Sequence, residues 1–264
     1  MTDTFTAAAV RRIRATLDLA PDPVPDTVPA HWHAMFFADI APQSQLDPDG
    51  HPQKGDFLPP VPLPRRMFAG RRTRLLAPLP VGATATRTST IHAVTEKQGR
   101  TGAMVFVTVR HEIAADGVAL VSEDQDIVYR EAVAPGAASA TASPAMAPAD
   151  PAWSQVVTPD PVLLFRYSAI TFNGHRIHYD ADYVRGEEGY PALVMNGGLT
   201  HLLLAEAAIR HGGPLRSFAA KNQKPLFCGR PATLAGDGTT GSIRLWAADD
   251  TGALAVDASA EFAA

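Results

Sequence analysis

The chain is almost without cysteine. Cys228 is the only one in 264 residues, which excludes an internal disulfide and any metal centre built from several thiolates. No run of about 18 or more apolar residues occurs, so no transmembrane helix is expected. A basic surplus is missing as well. The formal net charge is -4, and no global positive field recommends nucleic acid as a partner. At the start of the chain, Arg11 and Arg12 follow the small apolar run Ala7–Val10 instead of preceding it. A secretory signal has the opposite order. A cytoplasmic protein with neither membrane nor nucleic-acid partner is therefore expected. What is present is an ordinary globular composition, 46% hydrophobic and 19% charged. The length suits one large domain, or two of about 100–130 residues each.

Residues 7–18 read as a helix, because Val10, Ile13 and Leu17 fall on one stripe. Pro21, Pro23 and Pro25 end it. Residues 42–64 form a long irregular stretch rich in Pro, Gly and Asp. Such a loop is either functional, draped over a partner surface, or a passive connection. From about residue 81 the texture turns to strands. Thr84–Val94 and Ala103–Val109 are rich in β-branched residues, and Asp116-Gly117 is a hairpin turn before a returning strand, Val118–Tyr129. Residues 133–150 are rich in Ala, Ser and Pro and read as a linker.

Beyond the linker, Val162–Thr171 reads as a strand leading into a short turn or helix. Gly198–His211 reads as a helix with a mainly apolar face of Leu199, Leu202, Leu203, Glu206 and Ile209, ended by Gly212-Gly213-Pro214. Strands return at Phe218–Pro225, Gly241–Ala247 and Ala253–Phe262. Each half places helical sequence before antiparallel strands, which predicts two similar α+β units.

The chemistry concentrates in Phe172-Asn173-Gly174-His175-Arg176-Ile177-His178-Tyr179-Asp180. Histidine accepts and returns protons near neutral pH, so one ring here is a candidate general acid/base. The competing reading is a surface turn with incidental histidines. His175, His178 and Asp180 are also metal-ligand types, but His-x-x-His lacks the i, i+4 placement of a zinc-protease helix. A second element, Met195-Asn196-Gly197-Gly198-Leu199-Thr200, stands directly before the Leu-rich helix. Gly197 and Gly198 leave backbone N–H groups unobstructed at a helix start, where the dipole adds positive potential. Such donors can hold a thioester oxygen as it becomes an enolate. The alternative is a flexible turn with a Gly N-cap. Together the elements offer a base, an acid and an oxyanion hole, the three requirements for adding water to a 2-enoyl thioester.

The segment Tyr167–Asp180 resembles the hydratase motif of MaoC-like hot-dog proteins. It looks most like the branch that contains mesaconyl-C4-CoA hydratases, itaconyl-CoA hydratases and mitochondrial-type 3-hydroxyacyl-thioester dehydratases. Asp47–Pro52, Leu58–Met67 and Gln125–Arg130 resemble the same branch, so the likeness spans most of the chain outside the linker. It implies an α+β double hot-dog, with two antiparallel sheets each wrapping a central helix. Residues 1–132 would be a non-catalytic half that helps form an acyl-CoA tunnel. Residues 151–264 would be the catalytic half.

The implied activity is hydration or dehydration of an acyl-CoA thioester, with a short branched dicarboxylic substrate such as mesaconyl-C4-CoA or itaconyl-CoA. Dehydration of longer (3R)-hydroxyacyl thioesters, a thioesterase and a non-catalytic acyl-CoA-binding protein are the alternatives. No metal or redox cofactor is implied; coenzyme A comes with the substrate. A homodimer is possible but not required, since a double hot-dog already contains the paired sheet.

The general motif has Asp where this chain has Asn173, and His-Gly where it has Asn196-Gly197. The resemblance therefore makes His178 the acid/base and Asn173 an orienter of water or substrate, with Gly197 and Gly198 as oxyanion donors. Arg176 and Tyr179 would support substrate binding. Arg65, Arg66, Arg71, Arg72, Lys221, Lys224 and Arg230 are candidates for the coenzyme A phosphates. Cys228 is expected to be a buried structural thiol.

Overall fold

The computed structural model describes residues 1–55, 57–99, 102–131, 145–239 and 241–263. The first half runs β1 (Thr2–Thr4), α1 (Ala7–Thr16), β2 (Thr27–Val28), β3 (Arg65–Leu75), β4 (Leu79–Pro80), β5 (Thr84–Gly99), β6 (Gly102–Ala115) and β7 (Val118–Arg130). The second half runs β8 (Trp153–Val157), α2 (Pro161–Ile170), α3 (Ala181–Gly186), α4 (Gly197–Gly212), β9 (Leu215–Asn222), β10 (Ala232–Thr239), β11 (Ser242–Ala248) and β12 (Leu254–Phe262).

The two antiparallel sheets expected, one per half, join edge to edge in one. Ten strands form one antiparallel sheet in the order β1-β5-β6-β7-β3-β9-β12-β11-β10-β8. The seam is the β3–β9 pair, with Gly70 opposite Lys221 and Arg74 opposite Ser217. Each half leaves one edge strand, and an unpaired edge is satisfied by joining another. Of the central helices expected, one in each half, the second half supplies the 16-residue α4. Among the described residues of the first half, the α-helix is the ten-residue α1, accompanied by a 3-10 turn at Ala30–Met35. The linker expected at 133–150 lies mostly outside the described residues. Its end docks on the second half, where Ala145 O accepts from Leu254 N at 2.8 Å.

Two other readings change. Val162–Thr171 is helix α2, not strand. The Asp160 side chain caps it by accepting from Leu163 N at 2.7 Å, and Pro161 occupies its first turn. The run Val162-Leu163-Leu164-Phe165 is too short for its period to tell strand from helix; the cap decides. The strand texture also begins earlier than residue 81, because β3 carries five arginines that hide its β pattern.

Helix α4 is buried on more than the one face expected. Leu199, Leu204, Ala207 and Ala208 are all fully buried, as the central position under β9–β12 requires. Glu206 does not join the apolar face; it accepts from Trp32 Nε1 at 2.6 Å and pairs with His31 at 2.7 Å. Helix α4 is thereby tied to the first half as well. Deleting a buried side chain there removes both transfer energy and packing. Leu204→Ala is expected to lower unfolding stability by about 2–5 kcal/mol, seen as a lower urea midpoint with an unchanged slope.

Candidate active site

Local chemistry shapes the His-rich segment first. After α2 the chain turns at Phe172, and Asn173 N donates to Ser168 O at 2.8 Å. The Asn173 Oδ1 then accepts the His175 backbone N–H at 3.0 Å, an Asx turn that leaves its Nδ2 as a donor. A single 3-10 turn, Arg176–His178, follows, and Asp180 starts α3 by accepting from Tyr183 N at 3.0 Å.

His178 lies 6% exposed at the end of that turn. Its Nδ1 sits 2.7 Å from Val194 O. A carbonyl only accepts, so Nδ1 carries the proton and Nε2 keeps a lone pair. Burial pushes the ring down to about 4, so it is a neutral base at working pH. The bond also has a second consequence. Val194 is further clamped by its own N–H to Ile177 O at 2.9 Å, and Met195 N donates to Leu226 O at 2.8 Å. Three residues after Val194, helix α4 begins at Gly197, and no side chain caps its first turn. The base and a set of unclaimed helix N–H groups are therefore held by one short segment.

Gly197 and Gly198 are required by close approach. A Cβ on Gly197 would meet Asn222 Nδ2 at 2.8 Å, and one on Gly198 would meet Tyr167 Oη at 2.4 Å. Burial raises the Tyr167 phenol to about 12, so it stays protonated beside this helix start. Asn196, just outside the helix, is 2% exposed and donates to Ser168 Oγ at 3.4 Å.

The loop at 42–64 belongs to this site. It lies across the motif: Arg176 N donates to Asp49 O at 2.8 Å, and Arg176 Nη1 to Pro48 O at 3.1 Å. Gly50 has φ +89, and a Cβ there would sit 2.0 Å from Gly174 O, so two glycines let the backbones touch. The loop delivers His51, whose ring overlaps His175 at 3.9 Å between centroids; His175 in turn meets His178 edge-on at 5.5 Å. Burial, followed by the charges of His51 and His178, pushes His175 down to about 2 and keeps it neutral.

Asn173, His175, His178, Gly197 and Gly198 all line one cleft of ≈ 2430 Å³ between the halves. Arg65, Arg66, Arg71, Arg72, Lys221 and Lys224 line it too, whereas Arg176, Tyr179 and Arg230 do not. Arg176 is engaged with Asp180 at 2.8 Å, and the Tyr179 hydroxyl donates to Gly174 O at 2.9 Å, so both brace the motif. Arg65 faces Glu188 at 3.6 Å, Arg71 faces Glu123 at 3.6 Å, and Lys224 pairs with Asp249. Arg230 lies over the Phe227 ring at 5.5 Å. Arg66 reaches Pro52 O at 3.4 Å, and among the described residues no carboxylate pairs with it. Cys228 is half-buried, with its thiol pushed up by burial. Sequence reasoning did not name Asp49, His51, Tyr167 or Asn222 as site residues. The first two sat in a loop whose length and composition left its role open; the last two become visible only once the helix start is folded.

Comparison with known proteins now decides the family. The sequence profile of "Hydroxyacyl-thioester dehydratase type 2" matches residues 31–228. The chain belongs to the type 2 hydroxyacyl-thioester dehydratase family. The family resemblance read from the motif therefore holds, and the enzyme is a hydro-lyase of acyl thioesters.

A mesaconyl-C(4)-CoA hydratase of Chloroflexus aurantiacus is 46% identical over 236 residues, 89% of this chain and 83% of the relative. A MaoC-like dehydratase of Phytophthora capsici superposes with a TM-score of 0.76 at 13% identity, over 99% of this chain and 93% of that one. A Mycobacterium tuberculosis protein with a double hot-dog fold gives 0.58 at 14% identity, over 99% and 93%. At these identities the two structures establish the α+β hot-dog fold of this dehydratase-family chain. No described helix is long and apolar enough to cross a membrane.

Burial lowers four histidines in the folded state, His111 among them. His178 is lowered to about 4, His175 to about 2, and His201 to about 3 by its burial in α4. In the unfolded chain each titrates near the ordinary 6.5. The unfolded state thus binds more protons below that pH, and stability present above it is lost as pH falls. Urea midpoints are expected to decline steadily from pH 7 to pH 5, before carboxylates begin to titrate.

Proposed function

We propose that this family member hydrates a short enoyl-CoA bearing a free carboxylate, of the mesaconyl-C4-CoA type. The observation that carries the reading is the free Nε2 of His178 beside an uncapped helix N-terminus in one cleft. His178 takes a proton from water, aided by the Asn173 amide as orienter. The water oxygen bonds to the β-carbon, and the displaced electrons pass to the thioester oxygen. Gly197 and Gly198 N–H groups hold that oxygen as an enolate. Protonation at the α-carbon completes the addition. Dehydration is the same path reversed.

Two features favour the carboxylated substrate. The relative in Chloroflexus aurantiacus is a mesaconyl-C(4)-CoA hydratase, 46% identical to this chain. In addition, Arg66 is a cleft arginine without an acidic partner among the described residues, and its charge bears on His175 beside the base. A guanidinium there suits a carboxylate on the β-carbon. Lys221, exposed in the same cleft, is assigned to the coenzyme A phosphates, with Lys224 and Arg65 as further candidates. Arg230, Arg176 and Tyr179 are assigned supporting roles outside the cleft. We infer a double hot-dog arrangement, with 1–132 as the non-catalytic half, 133–150 as linker and 151–264 as the catalytic half.

The test follows loss of enoyl-thioester absorbance with mesaconyl-CoA, itaconyl-CoA and crotonyl-CoA. The native protein is expected to turn over mesaconyl-C4-CoA most efficiently. His178→Ala is expected to cost about 10²–10⁴-fold in kcat, the range for a lost general base. Arg66→Gln should raise KM for mesaconyl-CoA and leave crotonyl-CoA unaffected. Equal turnover of all three thioesters, insensitive to Arg66, would refute the carboxylate reading.

A further inference from the structure

We propose that His51, held by Asp49, is a second catalytic residue, and that it delivers the proton to the substrate α-carbon during hydration. This rests on the hydratase reading above. The argument begins at Asn173. An amide neither gives up nor takes a proton, so the motif retains a single proton-handling side chain at its usual positions. Hydration needs two proton transfers, one from water and one to carbon.

The structure brings a second imidazole to the same cleft from the other half of the chain. Asp49 fixes it twice: Oδ1 accepts from the His51 backbone N–H at 2.8 Å, and Oδ2 lies 2.9 Å from His51 Nδ1. Burial works to raise the Asp49 carboxyl, but the hydrogen bonds from His51 overcome it and hold the group well below the usual carboxylate range. An ionised carboxylate only accepts, so Nδ1 carries a proton and Nε2 is the working nitrogen. This is the arrangement of a carboxylate-oriented acid/base histidine. The ring lies against His175, which meets His178 edge-on, and both His51 and His178 line the cleft.

The step balances as follows. His178 Nε2 takes a proton from water while the oxygen bonds to the β-carbon, and the π electrons move to the thioester oxygen. The enolate then re-forms its carbonyl as the α-carbon takes the Nε2 proton of His51, which enters the step as an imidazolium paired with the Asp49 carboxylate. His51 ends neutral and His178 ends protonated; solvent at the cleft mouth restores both. Asp49 touches no reacting atom and is a positioning residue.

Asp49, His51 and His175 also place one donor atom each within 4.8 Å of one another, a spacing that a divalent ion would accept. Two features oppose that use. Asp49 spends both oxygens on His51, one on its backbone N–H and one on Nδ1, and the His51 and His175 rings lie against each other at a 41° tilt, 3.9 Å between centroids.

The experiment compares wild type, His51→Ala, His51→Gln and Asp49→Asn on mesaconyl-C4-CoA, with deuterium exchange at the α-carbon of the hydrated product. For His51→Ala, kcat is expected to fall about 10²-fold or more with KM changed less than about threefold, the pattern of a lost acid. Added imidazole should restore part of it, since only the ring is missing. His51→Gln should lose α-exchange likewise, and Asp49→Asn should lower kcat about tenfold at unchanged KM. Full activity in His51→Ala, with His178→Ala inactive, overturns the proposal and leaves the hydratase reading standing. A rise in KM at unchanged kcat overturns it in favour of substrate binding. Loss of activity on chelation, restored by Zn²⁺ or Mn²⁺, overturns it in favour of a metal.

Discussion

One hydrogen bond organises this site: the His178 Nδ1–H to the Val194 carbonyl at 2.7 Å. It settles which ring nitrogen is free, and it does so inside a pocket where the charged ring is disfavoured by burial. It also ties the Arg176–His178 turn to the segment that starts α4. Removing the carbonyl's register would release both the tautomer and the placement of the helix N–H groups. A neutral base and an oxyanion hole are useful only together, and this bond makes their spacing a property of local backbone.

The second constraint is that the two halves are mechanically one. The sheet is continuous through β3 and β9, α4 is bonded to Trp32 of the first half, and the loop at 42–64 lies backbone to backbone on the motif. The first half therefore contributes more than a wall. It supplies Arg66 from β3 and His51 from the loop to the cleft that His178 of the second half also lines. Gly50 and Gly174 mark a point of close backbone contact, where a side chain on either would push the halves apart.

Much of this was legible in residue types. The motif around His178, the Gly-Gly helix start and the α4 helix could be read because each has a local signal: clustered proton carriers, missing Cβ atoms, helical spacing. Helix α2 was not, since Val162-Leu163-Leu164-Phe165 has no period and only the Asp160 cap tips the balance. The single sheet was not legible either, because the β3–β9 seam is a pairing between residues about 150 positions apart, with no local cue. His51 illustrates the same limit. Its loop was visible as long and Gly-Pro-rich, but proximity to His175 is a tertiary fact. Arg176 and Tyr179 stand next to the motif histidines in sequence, and their side chains hydrogen-bond to Asp180, Pro48 and Gly174, contacts that no local pattern announces.

The account turns on the tautomer of one ring. Nitrogen-15 NMR of histidine-labelled protein, with His178 assigned by substitution, reads it directly at pH 7. The structure requires a neutral ring protonated at Nδ1, with an unprotonated Nε2 that persists down to about pH 5. A ring protonated at Nε2, or an imidazolium at neutral pH, would contradict it.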